Sequence, residues 1–216
     1  MTTSFRSAAS GYTLVELAMV AVILSIALGS LALFGGRSAG ALSEGTSQAE
    51  MDGQLRRTIA RIGEELLPSG LAVITPAAAA PAGAAELAYR RSAGAVNGAN
   101  TWGAPRRIAF AYEMGELDDG LDNNENGLAD EGVVELTIDV GLPGEQTVIL
   151  CHGVRELDGD EQENGLDDDG DGLVDERGLA FQRTGNVLRL ELTLERLDAE
   201  RRTIVRDLET TVQPRN

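Results

Sequence analysis

Gly11-Tyr12-Thr13-Leu14-Val15-Glu16-Leu17, with an apolar run that continues to Phe34, is the stretch from which the rest of this 216-residue chain is understood. From Leu17 to Phe34 the run is 18 residues long and is broken only by Ser25, Gly29 and Ser30. Such a length is about that needed to cross a bilayer as a helix. Glu16 puts one carboxylate inside this segment. A charge in a membrane span costs about 3 kcal/mol on insertion scales, so an intramembrane acid marks function by default; the alternative is an interfacial Glu tolerated near the helix start. Met1 to Gly11 is a short polar leader with Arg6 and no acid. A cleaved secretory signal would have an apolar region of roughly 7 to 15 residues. Ala39-Gly40-Ala41 has the pattern of a cleavage site, but the run before it is longer and contains Glu16.

This segment resembles the processing motif of the type IV pilins and of the pseudopilins of type II secretion, Gly-Phe-Thr-Leu-Val-Glu-Leu, with Tyr12 in place of Phe. The resemblance implies cleavage after Gly11 by a membrane prepilin peptidase and N-methylation of the new terminus at Tyr12. Glu16 then partners the N-terminal amine of a neighbouring subunit in a filament. That role is physically consistent, because a buried carboxylate is tolerable when a cation pairs with it. Also implied are a single-pass protein of the bacterial inner membrane with its C-terminal domain in the periplasm, and other pilins or pseudopilins as partners through the N-terminal helix.

About 180 residues follow the membrane segment, enough for one domain with a sizeable core. All 18 basic residues are Arg, a sign of genome composition, and the net charge is -17. Nucleic acid is not an expected partner, because phosphate contacts need a basic face. The one cysteine, Cys151, cannot form an internal disulfide, so an exported domain must be held together by other means. Cys151-His152 is one thiol beside one imidazole, which is expected as a buried strand residue rather than a catalytic pair.

The expected organisation is a leader over 1–11, the membrane half of a long helix over 12–35 and its amphipathic continuation over 36–67. Met51, Leu55, Ile59, Ile62 and Leu66 recur at three- and four-residue steps and so share one helix face, and Pro68-Ser69-Gly70 ends the helix. Residues 68–105, rich in Ala, Gly and Pro, read as a loop with some short helix. From Arg106 the period changes to two. Ile108, Phe110 and Tyr112 alternate, as do Val134, Leu136, Ile138 and Val140, and Leu188, Leu190, Leu192 and Leu194, which predicts half-buried antiparallel strands. Gly185-Asn186 and Asp198-Ala199-Glu200 fall where hairpin turns belong, with further strands at Thr147 to Cys151 and Thr203 to Val212. A helix covering one face of such a sheet is an α+β domain, in agreement with the pilin-like fold that the motif implies. The closing Thr211-Val212-Gln213-Pro214 and the Gln54-Leu55-Arg56-Arg57 region are similar to the larger minor pilins, the PilW-like and J-type pseudopilin group.

Two acidic loops, 116–132 and 156–178, interrupt the strand region. Gly120-Leu121-Asp122 through Asp130-Glu131 realigns with Gly165-Leu166-Asp167 through Asp175-Glu176 at an offset of 45, whereas Glu116-Leu117-Asp118 matches Glu156-Leu157-Asp158 at 40. The second copy is therefore expected to carry five extra residues. Oxygen ligands at positions one, three and five, Gly at six, a carbonyl at seven and a group at nine resemble the start of an EF-hand or thrombospondin-type calcium loop. The first loop offers Asp122, Asn124, Asn126, the Leu128 carbonyl and Asp130. The second offers Asp167, Asp169, Asp171, the Leu173 carbonyl and Asp175. Position twelve is Val133 in one and Gly178 in the other, so Glu131 and Glu176 at position ten, or water, must supply the missing oxygens. The loops join strands rather than helices and are not EF-hands.

Residues 113–132 and 156–178 hold 8 and 11 acids with Arg177 as their one base, a net of -18, while the rest of the chain has 16 acids against 17 Arg. Clustered carboxylates repel one another at close range but become ligands around Ca²⁺; the alternative is a pair of solvated acidic turns. Two Ca²⁺ sites are expected, tighter in the second loop, with affinities of roughly 10⁻⁴ to 10⁻³ M. Asp158-Gly159-Asp160 with Gln162 and Asn164 is a candidate third site. Calcium would then stabilise a domain without disulfides. No Ser/His/Asp set, zinc spacing or phosphate loop points to an enzyme. The expected function is a minor pilin or pseudopilin subunit; the alternatives are a calcium-dependent adhesin displayed on such a filament and a bitopic anchor that never assembles.

Overall fold

The structure, a computed structural model, describes residues 13–75, 83–159, 161–168 and 174–215, and for 32–43 the backbone alone. It is α+β: one helix, α1 (Leu14–Leu66), and a seven-stranded antiparallel sheet. Two compact units meet between Gly45 and Thr46. In the first unit, Leu14–Leu31 is an 18-residue window of mean hydropathy 2.4, long and apolar enough to cross a membrane, and none of it is buried within the chain.

The second unit is built on the stripe the periodicity picks out. Met51, Leu55, Ile59, Ile62 and Leu66 are all buried, Ile62 and Leu66 completely. They share one core with Leu87, Tyr89, Ile108, Val134, Leu136 and the alternating leucines Leu188 to Leu194. The strands are β1 (Glu86–Val96), β2 (Ala99–Tyr112), β3 (Gly132–Ile138), β4 (Gln146–Val154), β5 (Leu179–Thr184), β6 (Val187–Leu197) and β7 (Thr203–Val212). β6 is the hub. Its Leu192 lies between Leu179 of β5 and Leu208 of β7, and its Leu194 between Val154 of β4 and Arg206 of β7. β7 therefore takes one edge of β6, and β5 and the end of β4 share the other. Near residue 215, Val212 is buried beside Gly63, and the Arg215 N–H donates to the Leu67 carbonyl.

The segment 68–105 differs from its compositional reading. It carries a 3-10 turn at Leu71–Val73, all of β1 and the first half of β2. Asn97 and Gly98 both have positive φ and connect Val96 to Ala99, the two-residue hairpin geometry favoured by Asn-Gly. That dipeptide was the available signal, and the small residues Ser92, Ala93, Gly94 and Ala95 obscured the alternation around it. β5 also escapes the pattern, and Val140 lies past the end of β3, where Asp139 and Gly141 take positive φ in the turn to β4.

One charge is held in this core. Glu65 is 1 % exposed and accepts from Arg106 Nη1 at 2.6 Å and Tyr89 Oη at 3.1 Å, with Arg61 at 3.2 Å on the preceding turn. A buried carboxylate persists when paired and hydrogen-bonded like this. Burial, then the Glu65 charge, hold the Tyr89 hydroxyl protonated far above its ordinary range. Ile62→Ala is expected to destabilise the full chain by about 3 kcal/mol, mostly as a cavity cost, and to lower its Tm by roughly 6–12 °C, whereas Arg61→Ala, half exposed, is expected to be nearly silent; thermal circular dichroism in detergent checks both.

Candidate functional site: two braced acidic loops

Loop one leaves β2 at Glu113 and rejoins at β3. Its base is closed by the Glu113 N–H donating to the Glu131 carbonyl at 3.0 Å, and a turn brings the Glu116 N–H onto the Glu113 carbonyl. Glu116, 6 % exposed, then reaches through the loop. Its carboxylate accepts from the backbone N–H groups of Asn124 (2.8 Å), Asn123 (3.4 Å) and Asp130 (3.3 Å). Asp130, at φ 55°, accepts from the N–H groups of Asp119 (3.2 Å) and Gly120 (2.7 Å). Asp122 closes the inner turn by accepting from Asn126 (3.0 Å) and Gly127 (2.7 Å).

Among the described residues, loop two repeats the outer part of this arrangement at an offset of 45. The Asp158 N–H donates to the Glu176 carbonyl, and the Glu161 N–H to the Asp158 carbonyl. The buried Glu161 accepts from Asp168 and Asp175, both at 2.8 Å, and Asp175, at φ 51°, accepts from Asn164 and Gly165. The structural equivalent of Glu116 is therefore Glu161, not Glu156. The register is 45 from Glu113 and Asp158 onward, so the five residues by which the span from Val154 to Leu179 exceeds that from Tyr112 to Gly132 lie outside the repeated turn rather than within it; the shared Glu-Leu-Asp tripeptide misaligned the upstream ends. Extending the 45-residue offset backward from Gly120 and Gly165 would have found both bracing glutamates.

The candidate ligands separate into two groups. In loop one Asn124, Asn126 and Glu131 converge: Glu131 Oε1 accepts from Asn124 Nδ2 at 2.9 Å and Asn126 Nδ2 at 2.5 Å. Glu131 is wholly buried, and its Oε2 accepts no hydrogen bond. Asp122 borders the same turn, while Asp130 is turned to its backbone donors. In loop two, Asp175 is likewise a brace, Glu176 is buried in the place equivalent to Glu131, and Asp167 is exposed; Asp169, Asp171 and Leu173 lie outside the described residues. Position twelve is closed to a ligand in both loops. Val133 is buried in β3, and a Cβ on Gly178 would collide with the Arg155 carbonyl. Gly127, at position six, has φ 98°, and a Cβ there would strike Leu197 Cδ1. Its hydrogen thus serves the turn and the approach to the β6–β7 hairpin together.

A third group of acids was not visible in the sequence, because both loops supply it. Asp118, Glu156 and Glu163 place a carboxylate oxygen each within 4.8 Å of one another, and this cluster could hold a metal ion. Arg177 already bridges it, at 2.8 Å from both Glu156 and Glu163, and Tyr112 Oη donates to Glu156 at 2.6 Å. Burial and that hydrogen bond raise the Tyr112 pKa well above its ordinary value.

Cys151 and His152 face opposite sides of β4. Burial pushes the Cys151 thiol up to about 11, and His152 Nδ1 sits 2.8 Å from Glu113 Oε1 at the root of loop one. At the other end of the chain, Gly11 and Tyr12 lie outside the described residues. Glu16 forms a capping box with Thr13: its Oε2 accepts from the Thr13 N–H at 2.9 Å, and its N–H donates to Thr13 Oγ1 at 3.3 Å.

The chain matches no protein-family model, no curated protein and no solved structure.

Glu116→Gln turns an amide donor toward a backbone donor and is expected to cost about 1–3 kcal/mol. Hydrogen exchange should show faster exchange at the Asn124 and Asp130 amides with loop two unchanged, and Glu161→Gln should give the mirror result at Asp168 and Asp175.

Proposed function

We propose that this chain is a minor pilin or pseudopilin: a single-pass inner-membrane subunit of a type IV pilus or type II secretion filament, with a calcium-binding periplasmic domain. The observation that carries this reading is one continuous helix, Leu14–Leu66, entered through Gly11-Tyr12-Thr13-Leu14-Val15-Glu16. Its first turns are an exposed apolar segment and its last are the core of an antiparallel sheet domain. The capping box favours a second reading. It gives Glu16 a use within its own chain, and the protein would then be a bitopic anchor that needs no filament. The two are separated by the mass of the N-terminal peptide after expression with a prepilin peptidase, followed by crosslinking in the native envelope. A chain cut after Gly11, methylated on Tyr12 and crosslinked to other pilins or pseudopilins is expected. An uncut leader with no such partner would establish the anchor.

The calcium part rests on Glu131. A buried carboxylate oxygen without a donor is an electrostatic deficit that a hard cation with oxygen ligands repairs, and the side-chain amides of Asn124 and Asn126 beside it bring further oxygens to the same turn, where they now accept from the Asn126 and Leu128 N–H groups. Because the loop is already held by Glu116, Asp122 and Asp130, the cation enters a preformed turn. Its energy then appears as added stability rather than as folding of the loop. About 10 mM calcium is expected to stabilise the full chain by roughly 1–3 kcal/mol. Glu131→Gln should abolish most of loop one's share of that gain and leave stability in chelator within about 1 kcal/mol. Equal Tm values for wild type in calcium and chelator would refute the site.

A further inference from the structure

Loop one has no carboxylate at position twelve, where Val133 is buried in β3, and a strand beyond the loop is placed to supply one. Gly132, Val154 and Leu194 lie in register across β3, β4 and β6. Val154 and Leu194 belong to the core, so the adjacent residues Glu131 and Glu195 face the opposite side of the sheet, beneath loop one. The loop is seated on β6 there: its Gly127 lies against Leu197, two residues from Glu195 and on the same face. Gly127, Leu128 and Ala129 share a cavity of about 280 Å³ with Arg155, Glu195 and Thr203.

Glu195 is poorly compensated where it sits. Its side chain is 11 % exposed; among the described residues its one ion pair, to Arg155 Nε, is 3.9 Å long, and no hydrogen bond reaches its carboxylate. The braces differ, because Glu116, Asp130 and Glu161 are satisfied by backbone N–H groups. Burial raises the Glu195 pKa, Arg155 lowers it, and the charge of Glu131 raises it again. Glu131, with its bare Oε2, and Glu195 are thus two under-compensated acids that repel each other beneath one loop, and a shared divalent cation turns that repulsion into attraction. We propose that Glu195 supplies, from β6, the second carboxylate of loop one's calcium site, the part that the bidentate acid at position twelve plays in an EF-hand. Arg155, 33 % exposed, is the resident cation that calcium displaces from it. This inference rests on the calcium reading of loop one and adds to it a ligand from outside the loop.

The test is a calcium titration of the full chain in detergent, followed by hydrogen exchange across residues 122–131, with thermal circular dichroism in calcium and in chelator. Glu195→Gln is expected to raise the calcium midpoint for protection of this segment by about tenfold. Its Tm in chelator should be no lower than that of wild type, because the substitution removes a repulsion. Arg155→Gln, which removes the resident cation, should lower the midpoint. An unchanged midpoint in Glu195→Gln, a Tm that falls as far in chelator as in calcium, or an Arg155→Gln midpoint at or above wild type would overturn the proposal. A wild type that gains nothing from calcium would overturn the calcium reading and this inference together. A wild type that responds, a Glu131→Gln variant that does not and a Glu195→Gln variant that does would overturn this inference alone.

Discussion

Burial of the stripe Met51, Leu55, Ile59, Ile62 and Leu66 is the constraint on which the second unit depends. A helix with one apolar face must cover it, and here the cover is drawn from strands far apart in sequence: β1 and β2 on one side, β6 and β7 on the other. Val212 of β7 closes this core beside Gly63, and the one charge in it, Glu65, is met by arginines from three elements. Arg61, Arg91 and Arg106 meet there from the helix, β1 and β2. Removing Glu65 from such a group would strand several partly buried guanidiniums, which is costlier than losing any one contact.

The acidic loops show how a chain without disulfides keeps long connections ordered. Several of their carboxylates accept from backbone N–H groups, so part of this charge serves as internal hydrogen bonding. Glu116, Asp130 and Asp122 shape loop one, and Glu161 and Asp175 shape loop two. What is left over differs in kind. Glu131 is buried and incompletely satisfied, Glu125 is exposed at positive φ, and Glu156 and Glu163 are bridged by Arg177. One acidic composition thus divides into braces, a cation-seeking group, an outward-facing group and an internal ion-pair network. Net charge alone could not distinguish them.

How much could be read in advance follows from which forces are local. The helix stripe, the leucine alternation of β6 and the turn at Gly185-Asn186 were legible because burial on one face writes a period into the sequence. β1 was not, since its hairpin ends in small residues that carry little apolar signal, and β5 buries Leu179, Ala180 and Phe181 in a row and so shows no alternation. In the loops the repeat was legible but its upstream register was not, because Glu-Leu-Asp recurs by coincidence nearer than the true equivalent. The network of Asp118, Glu156, Glu163, Arg177 and Tyr112 had no local signature at all. It exists only once β2, the end of β4 and both loops are brought together.

The central place of β6 has a consequence for how the chain is made. The apolar helix face is synthesised before every strand that shields it, and β6 and β7 follow it by more than a hundred residues. Contacts of such long sequence separation form slowly. Until those strands emerge, Met51 to Leu66 are an uncovered greasy ridge. Incomplete chains of this protein therefore need sequestration, by a membrane surface or a chaperone, and truncation near the C-terminus would expose that ridge permanently rather than trim a dispensable edge.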